Sequence, residues 1–359
     1  MRVVFCGQGH FTSAYDYTKA ELRALDDEIK VEEVPRKELG TEVVDADVLV
    51  PLMSKLDADL LGQCKQLKLI NQFGVGLEGV DIQTATSMGV PVCMIPSDGC
   101  GNAQSCAEQC LLLCLYLLRR MPSLQNSVRT GKLGVPTTGT LYKSEVLIHG
   151  LGGIGVQLAL RLHNFGCSAI RAITRTGKMS YADKEGAYKT EDEMAIEKMI
   201  EEGKLELGNG EDFLHRFAST TSVVFLCVTQ NPDTMELVNE KYIRALRRGA
   251  MIINVARGGI VNYDDIVTAL DDGHLSGFGT DVFKHEPFPH PPIPDMDGSE
   301  TEDVDPLWDK HKAFLEHEKV VATPHVAGVT EVSYRAMAKL LAENILKLKK
   351  CEALNDKVN

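Results

Sequence analysis

Long hydrophobic runs are missing from this sequence. None approaches the ~20 apolar residues that cross a bilayer, and the opening MRVVFC has neither the apolar stretch nor the small-residue cleavage site of a secretory signal. A membrane span is not expected, and the reading is a cytoplasmic protein. A basic surplus is missing too, because the formal charge is −13 over 359 residues. A chain this acidic repels phosphate backbones and anionic lipid, so neither nucleic acid nor a membrane is expected as a partner. Part of the acidity is local, in a solvated stretch at 295–305 (DMDGSETEDVD). Metal-binding cysteine pairs are absent: there are ten cysteines and no Cys-x-x-Cys. Cys106, Cys110 and Cys114 recur at i, i+4 and i+8, one stripe of a helix. With no further ligands in view they read as small apolar groups on a buried face, and no metal site is expected. No short repeat is present. The length suits two domains, each with a core.

The most informative stretch is 146–177. Residues 146–149 are a short apolar run of β character. Gly150-Leu151-Gly152-Gly153-Ile154-Gly155 follows at once. Val156, Leu158, Ala159, Leu160 and Leu162 then give a helical apolar face, and 169–173 is a second apolar run. Alone, GxGxxG says little. Between a strand and a helix it points to a dinucleotide. The first glycine permits the tight turn, the second lets backbone approach a pyrophosphate, and the third lets helix and strand pack closely. Phosphates then meet the free N–H groups and positive dipole of the helix N-terminus.

Strand-like runs at 2–6, 29–34, 48–51, 67–72 and 90–95 alternate with helical patterns at 17–27 and 57–67. This argues for a parallel, helix-covered sheet. The loop 73–79 (FGVGLEG) follows one of these strands, where ligands bind in such sheets. Its glycines would let backbone N–H groups face an anion, although a plain turn reads the same way. Residues 103–120 are apolar nearly all round, so a buried helix bridging two domains is expected. Residues 121–143 are polar and turn-rich, a connection or arm. Residues 176–209 are charged and read as a surface insertion with a helical patch at 191–202. A second series of strands follows at 222–228, 249–254, 277–282 and 320–323, with helices at 239–246 and 263–271, a long irregular acidic loop at 284–319, and an amphipathic helix at 332–350.

A NAD site usually places an acid at the end of the second strand, on the ribose hydroxyls. Here that strand ends in Thr174-Arg175-Thr176-Gly177-Lys178. Cations suit a 2′-phosphate, so NADP(H) is favoured through Arg175, with NAD(H) as the alternative.

Three segments carry further chemistry: NVARGGIV with Arg257, GTDVFKHEP with Glu286, and TPHVAGVT with His325. A guanidinium can hold a carboxylate and the neighbouring carbonyl oxygen. A histidine can give that oxygen a proton as hydride arrives. A carboxylate beside the imidazole orients it and favours its protonated form. Each has a plain reading as a loop residue, but with a nucleotide fold they read as one catalytic set.

Through these motifs the chain resembles the D-isomer-specific 2-hydroxyacid dehydrogenases, the family of glyoxylate/hydroxypyruvate reductases and phosphoglycerate dehydrogenases. The resemblance runs from about the Gly74 loop through His325, and the flanking ends fit. It implies an α/β fold of two doubly wound parallel-sheet lobes with the active site in the cleft. A Rossmann cofactor domain (116–325) is inserted in a flavodoxin-like substrate domain (1–115 plus 326–359). It implies that Val75 and Gly76 bind the substrate carboxylate through backbone N–H groups. Arg257 would bind substrate, His325 would act as acid/base and Glu286 as its partner. Asp281 would hold the nicotinamide carboxamide, Ser105 would lie near the cofactor phosphates, and Cys227 and Val228 would line the adenine end. It also implies a homodimer through the cofactor lobe, with 121–143 as the arm. Leu52, Met53 and Ser54 are expected pocket walls, though no residue selects a particular acid. Three departures matter: the missing ribose acid, the longer segment after Arg175, and the longer loop between Glu286 and His325. Glu286 argues against the formate dehydrogenase branch. The lack of a regulatory domain after the last helix argues against a feedback-controlled phosphoglycerate dehydrogenase. The expected function is hydride transfer between NAD(P)H and a small 2-keto/2-hydroxy acid. The alternatives are a phosphoglycerate dehydrogenase-like enzyme or a nucleotide-sensing, corepressor-like binding protein.

Overall fold

A computed structural model describes residues 1–179, 190–284, 286 and 308–359. The acidic stretch 295–305 and most of the 284–319 loop lie outside the described residues. The rest divides into two compact units, Met1–Ser105 with Gly328–Asn359, and Cys106–Ala327. The sequence reading put these breaks at 115/116 and 325/326. The first break falls inside a helix, where no change of composition marks it.

The chain runs β1 (Arg2–Cys6), α1 (Thr12–Leu25), β2 (Lys30–Val34), α2 (Leu39–Glu42), β3 (Val48–Val50), α3 (Ala58–Gln63), β4 (Leu69–Asn71), α4 (Ile82–Ser87), β5 (Val92–Cys93), α5 (Asn102–Leu118) and α6 (Met121–Arg129). It continues β6 (Glu145–His149), α7 (Gly153–Asn164), β7 (Ala169–Ile173), α8 (Glu191–Glu201), β8 (Leu205–Gly208), α9 (Gly210–Ala218), β9 (Val223–Leu226) and α10 (Glu240–Ala245). Then come β10 (Ala250–Asn254), α11 (Tyr263–Asp271), β11 (Leu275–Thr280), α12 (Trp308–Leu315), β12 (Val320–Ala322) and α13 (Glu331–Lys349).

In the first unit five parallel strands lie in the order β2-β1-β3-β4-β5. The inner strands are buried on both faces, so β1, β3 and β4 read as near-continuous apolar runs, while the edge strand β2 (KVEEV) does not. Successive side chains of β1 enter different cores: Val3 and Phe5 join residues of α1 and α13, while Val4 and Cys6 join residues of α2, α3 and α4. Helix α13 packs along α1, where Lys349 Nζ reaches Asp26 at 2.6 Å. The last residues then close the outer edge of the sheet. Lys357 pairs antiparallel with Cys93, and Val358 N–H donates to Val92 O at 2.9 Å.

In the second unit seven strands lie in the order β12-β11-β10-β9-β6-β7-β8, and each pairing is parallel. Helices cover both faces: Val146 and Ile148 of β6 enter one core and Leu147 the other. Cys106, Cys110 and Cys114 are buried in the first of these. Helix α5 is not buried all round, since Leu112 is 55% exposed.

Two readings are corrected here. Residues 190–209 are not a surface insertion. Helix α8 is set by a capping box between Thr190 and Glu193, and buries Ile196 and Met199. Strand β8 then extends the sheet beyond β7, with Leu205 buried. Residues 180–189 lie outside the described residues. The polar 121–143 segment opens with a helix, α6, which tolerates Pro122 because a first-turn N–H needs no partner.

Candidate active site

Each sheet reverses its strand order once, between β1 and β3 and between β6 and β9. Ligands of α/β proteins bind at such points, beyond the carboxyl ends of the strands. In the second unit Gly150 leaves β6 at φ +103, and a Cβ there would lie 2.5 Å from the Cys227 carbonyl oxygen at the end of β9. A Cβ on Gly155 would lie 2.1 Å from Gly150 O, so this glycine lets α7 pack on the turn. Gly152 faces open space instead. It is the N-cap of α7, with no side-chain cap on the first turn formed by Gly153, Ile154 and Gly155. Uncapped N–H groups beside an open glycine suit a phosphate.

This turn borders a cavity of about 750 Å³. Thr174, Arg175 and Lys178 line it from the end of β7, and Cys227 and Val228 from the end of β9. The donor set, the open glycine and the cavity size fit a nicotinamide dinucleotide. Sequence reasoning missed two features of this cavity. One is an ion pair between Glu211 and Lys241 at 2.6 Å. The other is His149, whose Nδ1 lies 3.3 Å from the Tyr242 hydroxyl with the rings stacked. Burial pulls the His149 pKa down to about 4. His149 immediately precedes Gly150, which was the only available signal.

The catalytic candidates sit at the ends of three adjacent strands. After β10, the Asn254 side chain donates to Arg257 O at 3.0 Å and accepts from Ala256 N–H at 3.0 Å, which fixes the turn. Arg257 Nη1 donates to Ala256 O at 2.8 Å. A Cβ on Gly258 would fall 1.9 Å from the Phe283 carbonyl carbon, so the turn after β10 lies directly against the segment after β11. Glu286 Oε1 accepts from Phe283 N–H at 2.8 Å, and Oε2 lies 2.6 Å from His325 Nδ1. The Glu286 side chain is 11% exposed and that of His325 22%. An ionised carboxylate only accepts, so Nδ1 carries the proton and Nε2 is left to exchange one.

His325 is held at φ +55, a left-handed conformation uncommon outside glycine. Asp281 holds that turn. Its backbone carbonyl accepts from His325 N–H at 2.8 Å. Its Oδ1 accepts from Thr323 Oγ1 at 2.5 Å and Val326 N–H at 3.0 Å, and its Oδ2 from Ala327 N–H at 2.8 Å. Burial raises the Asp281 pKa against these hydrogen bonds, which favour the anion. The resemblance gives Asp281 to the nicotinamide carboxamide. The structure shows it fully buried and bonded to the turn that carries His325.

In the first unit, Gly74 at φ +129 turns its carbonyl towards β5, accepting from Ile95 N–H at 3.1 Å. That carbonyl and Val75 N–H belong to one planar trans peptide, so Val75 N–H points the opposite way. Among the described residues neither Val75 nor Gly76 donates a backbone hydrogen bond, and Val75 is 47% exposed. Ser105 donates to Gly101 O at 2.8 Å and meets Thr330 Oγ1 at 2.9 Å. Of the expected pocket walls, Leu52 and Ser54 are buried within this unit, with the Ser54 hydroxyl donating to Cys6 O at 2.5 Å. They are corrected to framework residues.

A glycine turn at the strand-order reversal, a dinucleotide-sized cavity and a carboxylate–imidazole pair on neighbouring strand ends define a nicotinamide-dependent dehydrogenase acting on a CH–OH group. The family model described as "D-isomer specific 2-hydroxyacid dehydrogenase, NAD binding domain" matches residues 111–202 and 195–327. This chain belongs to the D-isomer specific 2-hydroxyacid dehydrogenase family. A glyoxylate reductase of Thermococcus onnurineus is 28% identical over 349 residues, covering 94% of this chain and 90% of that protein. A D-3-phosphoglycerate dehydrogenase of Methanocaldococcus jannaschii is 27% identical over 331 residues, covering 90% of this chain and 54% of that protein. Among solved structures, the NADPH-dependent glyoxylate/hydroxypyruvate reductase of Sinorhizobium meliloti superposes with a TM-score of 0.72 at 24% identity, covering 99% of this chain and 96% of that one. The D-lactate dehydrogenase of Escherichia coli gives 0.73 at 19%, covering all of both chains. These likenesses establish the fold. Among the described residues no helix is long and apolar enough to cross a membrane.

Proposed function

We propose that this dehydrogenase reduces small 2-keto acids of the glyoxylate and hydroxypyruvate class to 2-hydroxy acids, with NADPH as the favoured reductant. The observation that carries this is the Glu286–His325 pair at 2.6 Å, held by Phe283 N–H on one side and the Asp281 turn on the other. The glyoxylate reductase relative supports the substrate class. A nicotinamide dinucleotide held at the Gly150–Gly155 turn would supply the hydride for the keto carbon. As the carbonyl becomes an alcohol, His325 gives the proton on Nε2 to the oxygen, and in oxidation takes it back. Glu286 keeps the ring oriented and stabilises the imidazolium. Arg257 holds the substrate carboxylate and the carbonyl oxygen, and the N–H groups of Val75 and Gly76 bind the carboxylate as well. Gly150, Gly152, Gly153, Ile154 and Gly155 hold the pyrophosphate, Arg175 with Lys178 the 2′-phosphate, and Cys227 with Val228 the adenine side.

Two parts of the proposal go beyond the site. Val128, Leu133 and Tyr142 are 82%, 94% and 61% exposed, and a second copy of the chain would cover them, giving a homodimer. Among the described residues the cysteines form no disulfide, which suits the reducing cytoplasm.

The test is cofactor oxidation with glyoxylate, hydroxypyruvate, pyruvate and a bulkier keto acid, using NADPH and NADH, for the wild type and His325→Ala. Turnover that favours NADPH and vanishes in the variant supports the proposal. A strong NADH preference would remove the Arg175 assignment. Tight nucleotide binding without turnover of any acid would point to a binding protein instead.

A further inference from the structure

We propose that Gln72 is a positioning residue for the substrate carboxylate. Its side-chain amide clamps the two loops at the carboxyl edge of the first sheet so that the Val75 and Gly76 N–H groups face outward. This rests on the carboxylate role proposed for those N–H groups.

Gln72 directly follows β4 and is 5% exposed. One nitrogen, Nε2, donates to two carbonyls: Leu52 O at 2.6 Å and Gly76 O at 2.5 Å. Its Oε1 accepts from Phe73 N–H at 3.1 Å. The amide therefore has both hydrogens and its oxygen engaged, a fully satisfied buried group. The two carbonyls belong to different loops, 51–56 after β3 and 73–79 after β4. The loops also meet through backbone, since Leu56 N–H donates to Gly79 O at 2.7 Å. A Cβ on Gly79 would lie 2.5 Å from Ser54 O.

The geometry explains the outward N–H groups. The 74–76 segment is pinned at its start by Gly74 O on Ile95 N–H and at its end by Gly76 O on Gln72. In a trans peptide the N–H opposes the C=O, so Gly74 O turned inward sends Val75 N–H outward, while Gly76 O held by Gln72 fixes the far side of the single peptide between them, the one that carries Gly76 N–H. Leu52, at φ +54, is the only non-glycine residue of these two loops in the left-handed region, and its carbonyl is the other one Gln72 holds. The clamp thus fixes a conformation the backbone would otherwise leave. Gln72 is itself anchored from behind. Its N–H donates to Cys93 O at 2.9 Å, and its carbonyl accepts from Asn71 Nδ2 at 3.1 Å. The Asn71 Oδ1 is in turn held by Asn344 of α13 at 2.8 Å.

Three variants test this: Gln72→Glu, Gln72→Met and Gln72→Asn. An ionised glutamate has the same shape but no donor, and it faces two carbonyls. Methionine keeps the bulk without polar atoms. Asparagine is one methylene short and reaches one loop only. The expected result is a KM for glyoxylate raised about tenfold or more in the Glu and Met variants and less in the Asn variant, with kcat within about threefold and the KM for NADPH unchanged. The Glu variant has a distinguishing readout. A buried carboxyl titrates above its ordinary ~4.3, and once protonated it has a donor again. Its KM defect should therefore shrink as the pH is lowered towards ~5, while that of the Met variant should not. Keto-acid KM values within about twofold of wild type would overturn the proposal, as would a fall in kcat and Tm together with a rise in both KM values. Failure of all three variants to fold would make Gln72 a framework residue and also overturn it. Wild-type turnover is the control. Without it the functional reading fails, and this one with it; with it, unchanged KM values remove only the role of Gln72.

Discussion

Glu286 accepts from a backbone N–H with one oxygen and meets the imidazole with the other, so its orientation is fixed independently of His325. Gln in its place can occupy the same space, but it carries no charge to stabilise an imidazolium. Glu286→Gln should lower kcat by roughly 10- to 100-fold with little change in the keto-acid KM, read by steady-state kinetics. His149 gives a pH dependence. Its folded pKa is about 4 and its unfolded value about 6.5, so the native state resists a proton that the unfolded chain accepts. The stabilisation is complete above about pH 6.5 and is lost as the pH falls towards 4, by about 3 kcal/mol. Urea unfolding across that range should show a shallower acid limb in His149→Gln; an identical slope would exclude the assignment. The pairing of Glu286 with His325 was legible in the sequence because each has short, distinctive wording around it. Gln72 and the Asp281 clasp were not. A single polar residue at the end of an apolar strand has no periodicity, and its partners come from loops far away in the chain.

The glycine turn makes two opposite predictions within one element. Gly155→Ala puts a Cβ against Gly150 O and should force α7 off the turn. Overpacking of this kind costs about 1–3 kcal/mol, so Tm and NADPH affinity should fall together. Gly152→Ala meets nothing in the protein. Its Tm should hold while NADPH binding, followed by fluorescence titration, weakens about tenfold because the methyl occupies the phosphate approach. At this scale the sequence was read well where strands are buried on both faces, as in β1, β6, β9 and β10, whose apolar runs leave little ambiguity. It failed at β8, an edge strand of four residues with Glu206 exposed, and at α6, whose polar composition hides its helix. The start of α1 was placed five residues late, since its first turn lacks a side-chain cap.

At the scale of the molecule, the exposed Val128 and Leu133 predict self-association through the second unit. Val128→Asp with Leu133→Asp should shift the protein from dimer to monomer in light scattering while CD stays unchanged. That there are two units was legible in the length and in the two series of strands, but where one gives way to the other was not, because the chain crosses between units inside α5 rather than at a linker. That crossing also governs how the protein is made. Residues 106–327 are continuous, so the second unit can close on itself as soon as it leaves the ribosome. The first unit cannot. Its α1 and the outer edge at β5 await α13 and the residues behind it, which are translated last. The part that is synthesised first is therefore completed last, and until then it must wait with an uncovered apolar face, open to chaperones.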